Sequence, residues 1–120
     1  MIRVALADDA PDLRFLVRIA LETDGRFEVV GDAADGSEAI ELLEREEPDV
    51  IVLDMGMPKM DGLQVLAEMR ARGLKSKVLA FSGFNGGVEK EARGLGAADF
   101  LRKGSAALSE IVPSLLAICA

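Results

Sequence analysis

The order of apolar and polar residues along the chain predicts five short strands that alternate with helices. Short apolar runs at residues 2–7, 27–31, 50–53, 77–81 and 100–102 read as strands. Apolar residues at helical spacing predict helices at 12–23, after Asp35, at 63–72, at 88–95 and around 108–116. This alternation predicts parallel βαβ units and right-handed crossovers. The chain is therefore expected to form one α/β domain over residues 1–120, a three-layer α/β/α sandwich around a five-stranded parallel sheet.

Glycine, aspartate and proline mark the expected helix ends. Gly25 and Gly73 supply stops, and Asp35 is a plausible cap at the start of the second helix. Pro113 falls inside the apolar pattern of the last helix, where proline is unfavourable. Either Ser109 caps a helix that starts late, or the helix kinks at the proline. The inward face of the first helix is predicted to hold Leu13, Leu16, Val17, Ala20 and Leu21.

Composition narrows the classes of function. Acidic residues outnumber basic ones by 21 to 14, and a net charge of −7 argues against a nucleic-acid or anionic-membrane surface in this segment. No histidine is present, which excludes a Ser-His-Asp triad, a histidine-ligated metal and an internal phosphohistidine. A single cysteine, Cys119, allows no internal disulfide, and the start lacks a signal-peptide pattern. No apolar stretch is long enough to span a membrane, so a cytoplasmic location is expected.

Polar residues follow directly on four of the five apolar runs. Asp8 and Asp9 follow the first strand, Asp54 the third, Ser82 the fourth and Lys103 the fifth. In an open parallel sheet the carboxyl ends of the strands lie at one edge, where ligands bind. Each residue alone has an ordinary explanation as a helix cap, a loop residue or a solvated charge. Their joint placement predicts one shared crevice.

The chemistry of this predicted crevice is coherent. Three carboxylates placed together repel one another unless a cation compensates them, and Mg²⁺ prefers oxygen ligands. A lysine and a hydroxyl beside them complete the groups that a phosphoryl-transfer site needs. A carboxylate can itself act as the nucleophile in aspartyl-phosphate chemistry.

Four motifs give the chain a resemblance to a known family. They are Ala7-Asp-Asp9, Val50-Ile-Val-Leu-Asp54 with Met-Gly-Met-Pro-Lys-Met-Asp-Gly62 behind it, Phe81-Ser-Gly83 and Phe100-Leu-Arg-Lys103. The chain resembles the CheY-like receiver domains of response regulators over essentially its whole length. The segment that begins at Phe27, Phe-Glu-Val-Val-Gly-Asp-Ala-Ala-Asp-Gly, is most similar to the sequences of receivers of the NarL/LuxR group. The resemblance implies a flavodoxin-like strand order of 2-1-3-4-5, for which this family is a standard example.

The resemblance also implies a role for each residue at the strand ends. Asp54 would be the phosphoacceptor, Lys103 the phosphate-contacting lysine, Ser82 the switch hydroxyl and Phe100 the switch aromatic. Mg²⁺, or Mn²⁺, would be held by Asp8, Asp9, Asp54 and the backbone carbonyl of Gly56. The implied partner is a sensor histidine kinase or a phosphotransfer protein, with homodimerisation on phosphorylation as a further expectation.

Such a domain is not an enzyme beyond supporting its own phosphorylation and slow dephosphorylation. Receivers of the NarL/LuxR group usually precede a DNA-binding domain, so the chain could be the N-terminal part of a transcriptional regulator. No DNA-binding segment is recognisable within these residues.

Two departures from the family pattern bear on the peptide after Lys103 and on the alternative functions. Gly104 stands where many members have a proline, so a cis peptide after Lys103 is not assumed. Gly56 leaves no side chain two residues after Asp54, where a phosphohydrolase of the haloacid dehalogenase (HAD) type would need a second aspartate. That class is therefore disfavoured. A degenerate receiver that acts only through protein contacts is the other alternative.

Overall fold

The structure, a computed structural model, describes residues 1–83, 87–104 and 107–120 and contains a single five-stranded parallel sheet in that part of the chain. The strand order is β2-β1-β3-β4-β5, as the resemblance implied. The sequence also predicts a glycine-rich connection after the fourth strand, at Gly83, Asn85, Gly86 and Gly87, of which Asn85 and Gly86 lie outside the described residues. The elements in chain order are β1 (Ile2–Ala7), α1 (Pro11–Asp24), β2 (Phe27–Ala33), α2 (Gly36–Glu46), β3 (Val50–Asp54), α3 (Gly62–Arg72), β4 (Lys77–Ser82), α4 (Gly87–Gly94), β5 (Asp99–Arg102) and α5 (Ala107–Cys119).

The register of the sheet brings the carboxyl ends of its strands to one edge. Ala7 pairs with Leu53, Asp54 with Phe81, and Ser82 with Arg102. Polar residues that follow these strands therefore emerge side by side, as expected for a doubly wound sheet.

Two apolar clusters cover the two faces of the sheet and produce the predicted three layers. One lies under α2, α3 and α4, and includes Phe100. The other lies under α1 and α5, and includes Phe81. Every residue of β3 is buried, which explains its continuous aliphatic run. Full burial of one such aliphatic side chain contributes about 1.5–3 kcal/mol, so both faces stabilise the strands that carry the site.

The predicted helix ends are largely confirmed. Gly25 and Gly73 adopt the left-handed conformation after α1 and α3, with φ of 86° and 68°. Asp35 caps α2 by accepting a hydrogen bond of 2.9 Å from the Glu38 backbone N–H. The predicted inward face of α1 is partly wrong, because Leu16 is 47% exposed while Val17 and Leu21 are buried.

The start of the last helix excludes one of the two alternatives for Pro113. Helix α5 begins at Ala107, and its first N–H bonds the Gly104 carbonyl at 3.1 Å. Ser109 therefore lies inside the helix, and the prediction that it caps a late start is wrong. Burial of Ala107, Ile111 and Leu115 against the sheet offsets the cost of an interior proline. A kink at Pro113 stays a prediction.

Two further findings bear on the sequence predictions. Over the described ranges no peptide bond is cis, and this includes the bond between Lys103 and Gly104. No helix in the described part of the chain combines the length and apolarity needed to cross a bilayer.

Candidate functional site

Three carboxylates meet at the carboxyl edge of the sheet, as the strand-end pattern predicted. Asp8 and Asp9 follow β1, and Asp54 ends the neighbouring β3. One oxygen from each lies within 4.8 Å of the others. Asp8 and Asp54 are buried and Asp9 is exposed. Oxygen donors at this spacing suit a hard divalent cation.

Lys103 reaches into the same cluster from the end of β5. Its Nζ lies 2.9 Å from Asp8 Oδ2 and 3.2 Å from Asp54 Oδ1. The ammonium also sits 5.5 Å from the centre of the Phe81 ring, a favourable cation–π distance. With all three carboxyls ionised, one lysine leaves two negative charges uncompensated in the cluster.

Burial and charge shift two pKa values in this cluster. Burial raises the pKa of Asp54, and the nearby charge of Asp8 raises it further, while the Gly56 N–H and Lys103 pull it down less strongly. Burial alone would lower the pKa of Lys103, but its bonds to Asp8 and Asp54 outweigh this and raise it. The positive charge of Lys103 is therefore stabilised by the site, whereas the negative charge of Asp54 is disfavoured by its burial.

The loop after β3 fixes the Asp54 carboxylate. The Gly56 N–H donates to Asp54 Oδ1 at 3.1 Å, and the Gly62 N–H donates to the Met55 carbonyl at 3.2 Å. A side chain at Gly62 would place its Cβ 2.7 Å from the Asp54 carbonyl oxygen, so only glycine fits this close approach. The contacts that the described residues make with the Asp54 side chain, from the Gly56 N–H and from Lys103, both fall on Oδ1 rather than Oδ2.

The two predicted switch residues occupy adjacent strands. Ser82 ends β4 and is fully buried, and its carbonyl accepts a 2.8 Å bond from the Lys103 N–H. Phe100 is 7% exposed and packs in the cluster beneath α4. The structure thus brings Asp8, Asp9, Asp54, Gly56, Ser82 and Lys103 to one edge, with Phe100 behind it.

Sequence reasoning missed one residue of this region, Arg14 of α1. Its Nη1 donates to the Asp8 backbone carbonyl at 2.6 Å. A signal was available, because Arg14 is three and seven residues before the buried Val17 and Leu21 and so shares their helix face. A charged residue at that position needed a polar partner beneath the helix.

Comparison with known proteins agrees with this geometry. The model of the response regulator receiver domain family matches residues 4–113. The chain belongs to this family. The receiver domain of NarL from Mycobacterium tuberculosis, a solved structure, superposes with a TM-score of 0.92 at 41% identity, covering 98% of this chain and 95% of that one.

Two full-length relatives indicate the wider context of this receiver domain. NarL from M. tuberculosis, a transcriptional regulatory protein, is 42% identical over 116 residues, which cover 96% of this chain and 53% of NarL. A transcriptional regulator from Pseudomonas aeruginosa is 42% identical over 82 residues, 68% of this chain and 39% of the relative. The chain therefore spans about half, or less, of these relatives. The predicted likeness to NarL/LuxR-type receivers is confirmed.

Proposed function

We propose that this receiver domain accepts a phosphoryl group on Asp54 and thereby changes its contacts with other proteins. The observation that carries the proposal is the meeting of Asp8, Asp9 and Asp54 within 4.8 Å, with the Lys103 ammonium bonded to two of them. Membership of the receiver family supports it.

The donor set fits Mg²⁺ or Mn²⁺, since all the groups offered are oxygens and they carry excess negative charge. Asp8, Asp9, Asp54 and the Gly56 carbonyl would hold the ion. When bound, the ion would reduce the charge repulsion between these carboxylates and an incoming phosphoryl group. Because Mg²⁺ keeps several waters, we expect weak, reversible binding with an affinity nearer millimolar than nanomolar.

The residues of the chain supply the nucleophile and the charge for the transfer. An Asp54 carboxylate oxygen attacks phosphorus, the new O–P bond forms, and the N–P bond of a partner's phosphohistidine breaks with its electron pair returning to the imidazole nitrogen. This sequence has no histidine, so a phosphohistidine donor would be supplied by a histidine kinase or a phosphotransfer protein. Lys103, already beside Asp54, is placed to pair with the phosphoryl oxygens.

The proposed switch uses the two residues behind the acceptor. The phosphoryl group adds negative charge and acceptor oxygens at Asp54, and Ser82 at the end of the adjacent strand would donate its hydroxyl to them. Movement of the segment after β4 would then alter the packing around Phe100. The affected surface would be α4, β5 and α5, through which a homodimer or another protein contact would respond.

The relatives suggest where such a switch would act. NarL is a transcriptional regulatory protein about twice as long as this chain. We propose that this receiver regulates an output of that kind. With a net charge of −7, the segment is not itself expected to bind DNA.

The direct test is phosphorylation by acetyl phosphate with Mg²⁺, followed by intact-mass measurement. We expect one added phosphoryl group, its loss in Asp54→Ala and in Asp9→Ala, and its retention in Asp24→Ala, a control at the far end of α1. An unchanged mass shift in Asp54→Ala would refute the acceptor, and full phosphorylation in excess chelator would refute the metal. Turnover of a phosphomonoester would favour the HAD-type alternative. No phosphorylation at all would favour an interaction module.

A further inference from the structure

Arg14 links the acidic cluster to the outer strand of the sheet. Its Nη1 donates to the main-chain carbonyl of Asp8 at 2.6 Å, and its Nε lies 3.7 Å from Asp32 Oδ2 on β2. The Nε is buried and has no hydrogen-bond partner in the described part of the chain. The distance to Asp32 is too long for a hydrogen bond, so the short bond to the Asp8 carbonyl is the stronger of these two contacts of the partly buried guanidinium.

That carbonyl belongs to the peptide between the two aspartates of the cluster. The Asp8 side chain is held independently, since its Oδ1 accepts from the Ala10 N–H at 2.9 Å and its Oδ2 binds Lys103 at 2.9 Å. Asp9 is exposed, and among the described residues its carboxylate has no hydrogen bond or ion pair. The Asp8–Asp9 peptide is therefore the part of Asp9 that a neighbouring residue holds, and its orientation sets the direction in which the Asp9 side chain leaves the backbone.

We propose that Arg14 is a positioning residue that orients the Asp8–Asp9 peptide so that the Asp9 carboxylate faces Asp54. Asp32 attracts the Arg14 guanidinium by charge and also pairs with Arg18, whose Nη2 is 3.6 Å from the same oxygen. The expected change in Mg²⁺ affinity rests on the proposed function. The orientation of the Asp8–Asp9 peptide by Arg14 does not require a bound metal.

Electrostatics and positioning predict opposite effects of removing this arginine. Loss of a positive charge near three carboxylates would by itself strengthen the binding of a divalent cation. Loss of the bond to the Asp8 carbonyl would release Asp9 and weaken it. Removing a group that orients a metal ligand typically costs 10- to 100-fold in affinity, so the positioning effect should exceed the charge effect.

Helix α1 offers a matched control. Arg18 pairs with the same Asp32 oxygen and carries the same charge, but it has no bond to Asp8. Arg14→Met and Arg18→Met thus remove the same charge from the same helix, and only the first removes the hydrogen bond. Arg14→Lys keeps the charge, and its single ammonium can reach either the Asp8 carbonyl oxygen or Asp32 Oδ2.

The experiment is a Mg²⁺ titration of the ¹⁵N-labelled protein and these variants by NMR, because the chain has no tryptophan or tyrosine for fluorescence. We expect the dissociation constant to rise about tenfold or more in Arg14→Met. It should stay within about twofold of the parent, or fall, in Arg18→Met. Arg14→Lys should recover part of the loss. Thermal unfolding in chelator checks that each variant is folded.

A metal-free measurement keeps this inference separate from the proposed function. In chelator, the Asp8 carbonyl ¹³C and Asp9 amide ¹⁵N signals should shift in Arg14→Met and stay unchanged in Arg18→Met. If the parent binds no Mg²⁺, the proposed function fails, but the shifts of these signals in chelator still test whether Arg14 orients the Asp8–Asp9 peptide. Unchanged signals in Arg14→Met, or Mg²⁺ binding as tight as in the parent, would overturn the inference.

Discussion

Replacing Lys103 by methionine is the sharpest test of how the acidic cluster is held together. The side chains have similar length, so the change removes the charge and keeps most of the apolar stem. It deletes two ion pairs, of 2.9 Å to Asp8 and 3.2 Å to Asp54, and leaves two carboxylates whose side chains are only 8% and 5% exposed.

The magnitude follows from distance and burial. Each pair is worth about 5–6 kcal/mol of gross Coulomb energy at an effective dielectric constant of about 20. Dehydration of the ammonium cancels much of this, and breaking a buried ion pair costs about 3–5 kcal/mol net. The Lys103 side chain is 25% exposed, so we expect a cost somewhat below that range, about 2–3 kcal/mol. For a domain of this size that lowers Tm by roughly 8–12 °C.

Thermal unfolding followed by circular dichroism, with chelator and then with about 10 mM Mg²⁺, measures the effect. A Kd on the order of 1 mM would stabilise the parent by about 1.4 kcal/mol at that concentration. The variant should gain more, because Lys103 no longer competes with the metal for Asp8 and Asp54. The gap between the two proteins should therefore narrow with Mg²⁺.

The pH dependence has a definite sign. The pKa of Lys103 is raised in the folded state, although burial alone would lower it, because Asp8 and Asp54 bind the ammonium. Its stabilisation is therefore complete below the ordinary lysine pKa of about 10.4 and is lost as pH rises through the folded value. Parent and variant should differ fully at neutral pH and converge only in strong alkali.

A second lysine provides the control. Lys59 Nζ lies 3.4 Å from buried Asp35, but its own side chain is 72% exposed. Lys59→Met should cost less than about 1 kcal/mol. Equal stability of Lys103→Met and the parent in chelator would show that the two short ion pairs contribute nothing net, and the reasoning would be wrong. Equal gains from Mg²⁺ in both proteins would refute the competition for the same oxygens.

Three more substitutions test separate parts of the site. Burial raises the pKa of Asp54, so the folded protein loses stability relative to a neutral side chain as the pH rises from about 4 through the folded pKa of this carboxyl. Asp54→Asn should therefore raise Tm in chelator at pH 7, and this gain should vanish below about pH 4. Asp61→Ala removes a capping box with Gln64, two bonds of 2.9 Å, and should cost about 1 kcal/mol in urea unfolding; an unchanged midpoint would contradict it. Gly62→Ala would press a Cβ against Asp54 and Met55, so it should cost about 1–3 kcal/mol and slow labelling by acetyl phosphate.

The strand ends of this fold were predictable because burial and polarity change abruptly there. Four consecutive aliphatics before Asp54 can only be covered on both faces, and the polar residue that follows marks the edge. Since all strands of a parallel sheet end at one edge, order along the chain was enough to bring Asp8, Asp54 and Lys103 together. Their distances were not predictable, because they depend on side-chain conformations.

The helices were harder to predict because spacing alone does not say which apolar residues face the sheet. Leu16 fits the helical repeat as well as Val17 does, yet Val17 is buried and Leu16 is exposed. Arg14, three residues before Val17 on the same helix face, donates to the Asp8 carbonyl. An apolar pattern does not report such a polar contact between a helix side chain and the backbone.

The contacts of Asp8 divide the site into a fixed part and a part that can respond. Its N–H donates to the Ala33 carbonyl at 3.0 Å, its carbonyl accepts from Arg14, and its Oδ1 accepts from Ala10. The fourth contact, from Oδ2 to Lys103, joins two side chains, so the ammonium can leave without disturbing the backbone of Asp8. In the proposed function a phosphoryl group on Asp54 would draw that ammonium away from Asp8. The acidic edge would then stay rigid while the change passes through Lys103 and the end of β4.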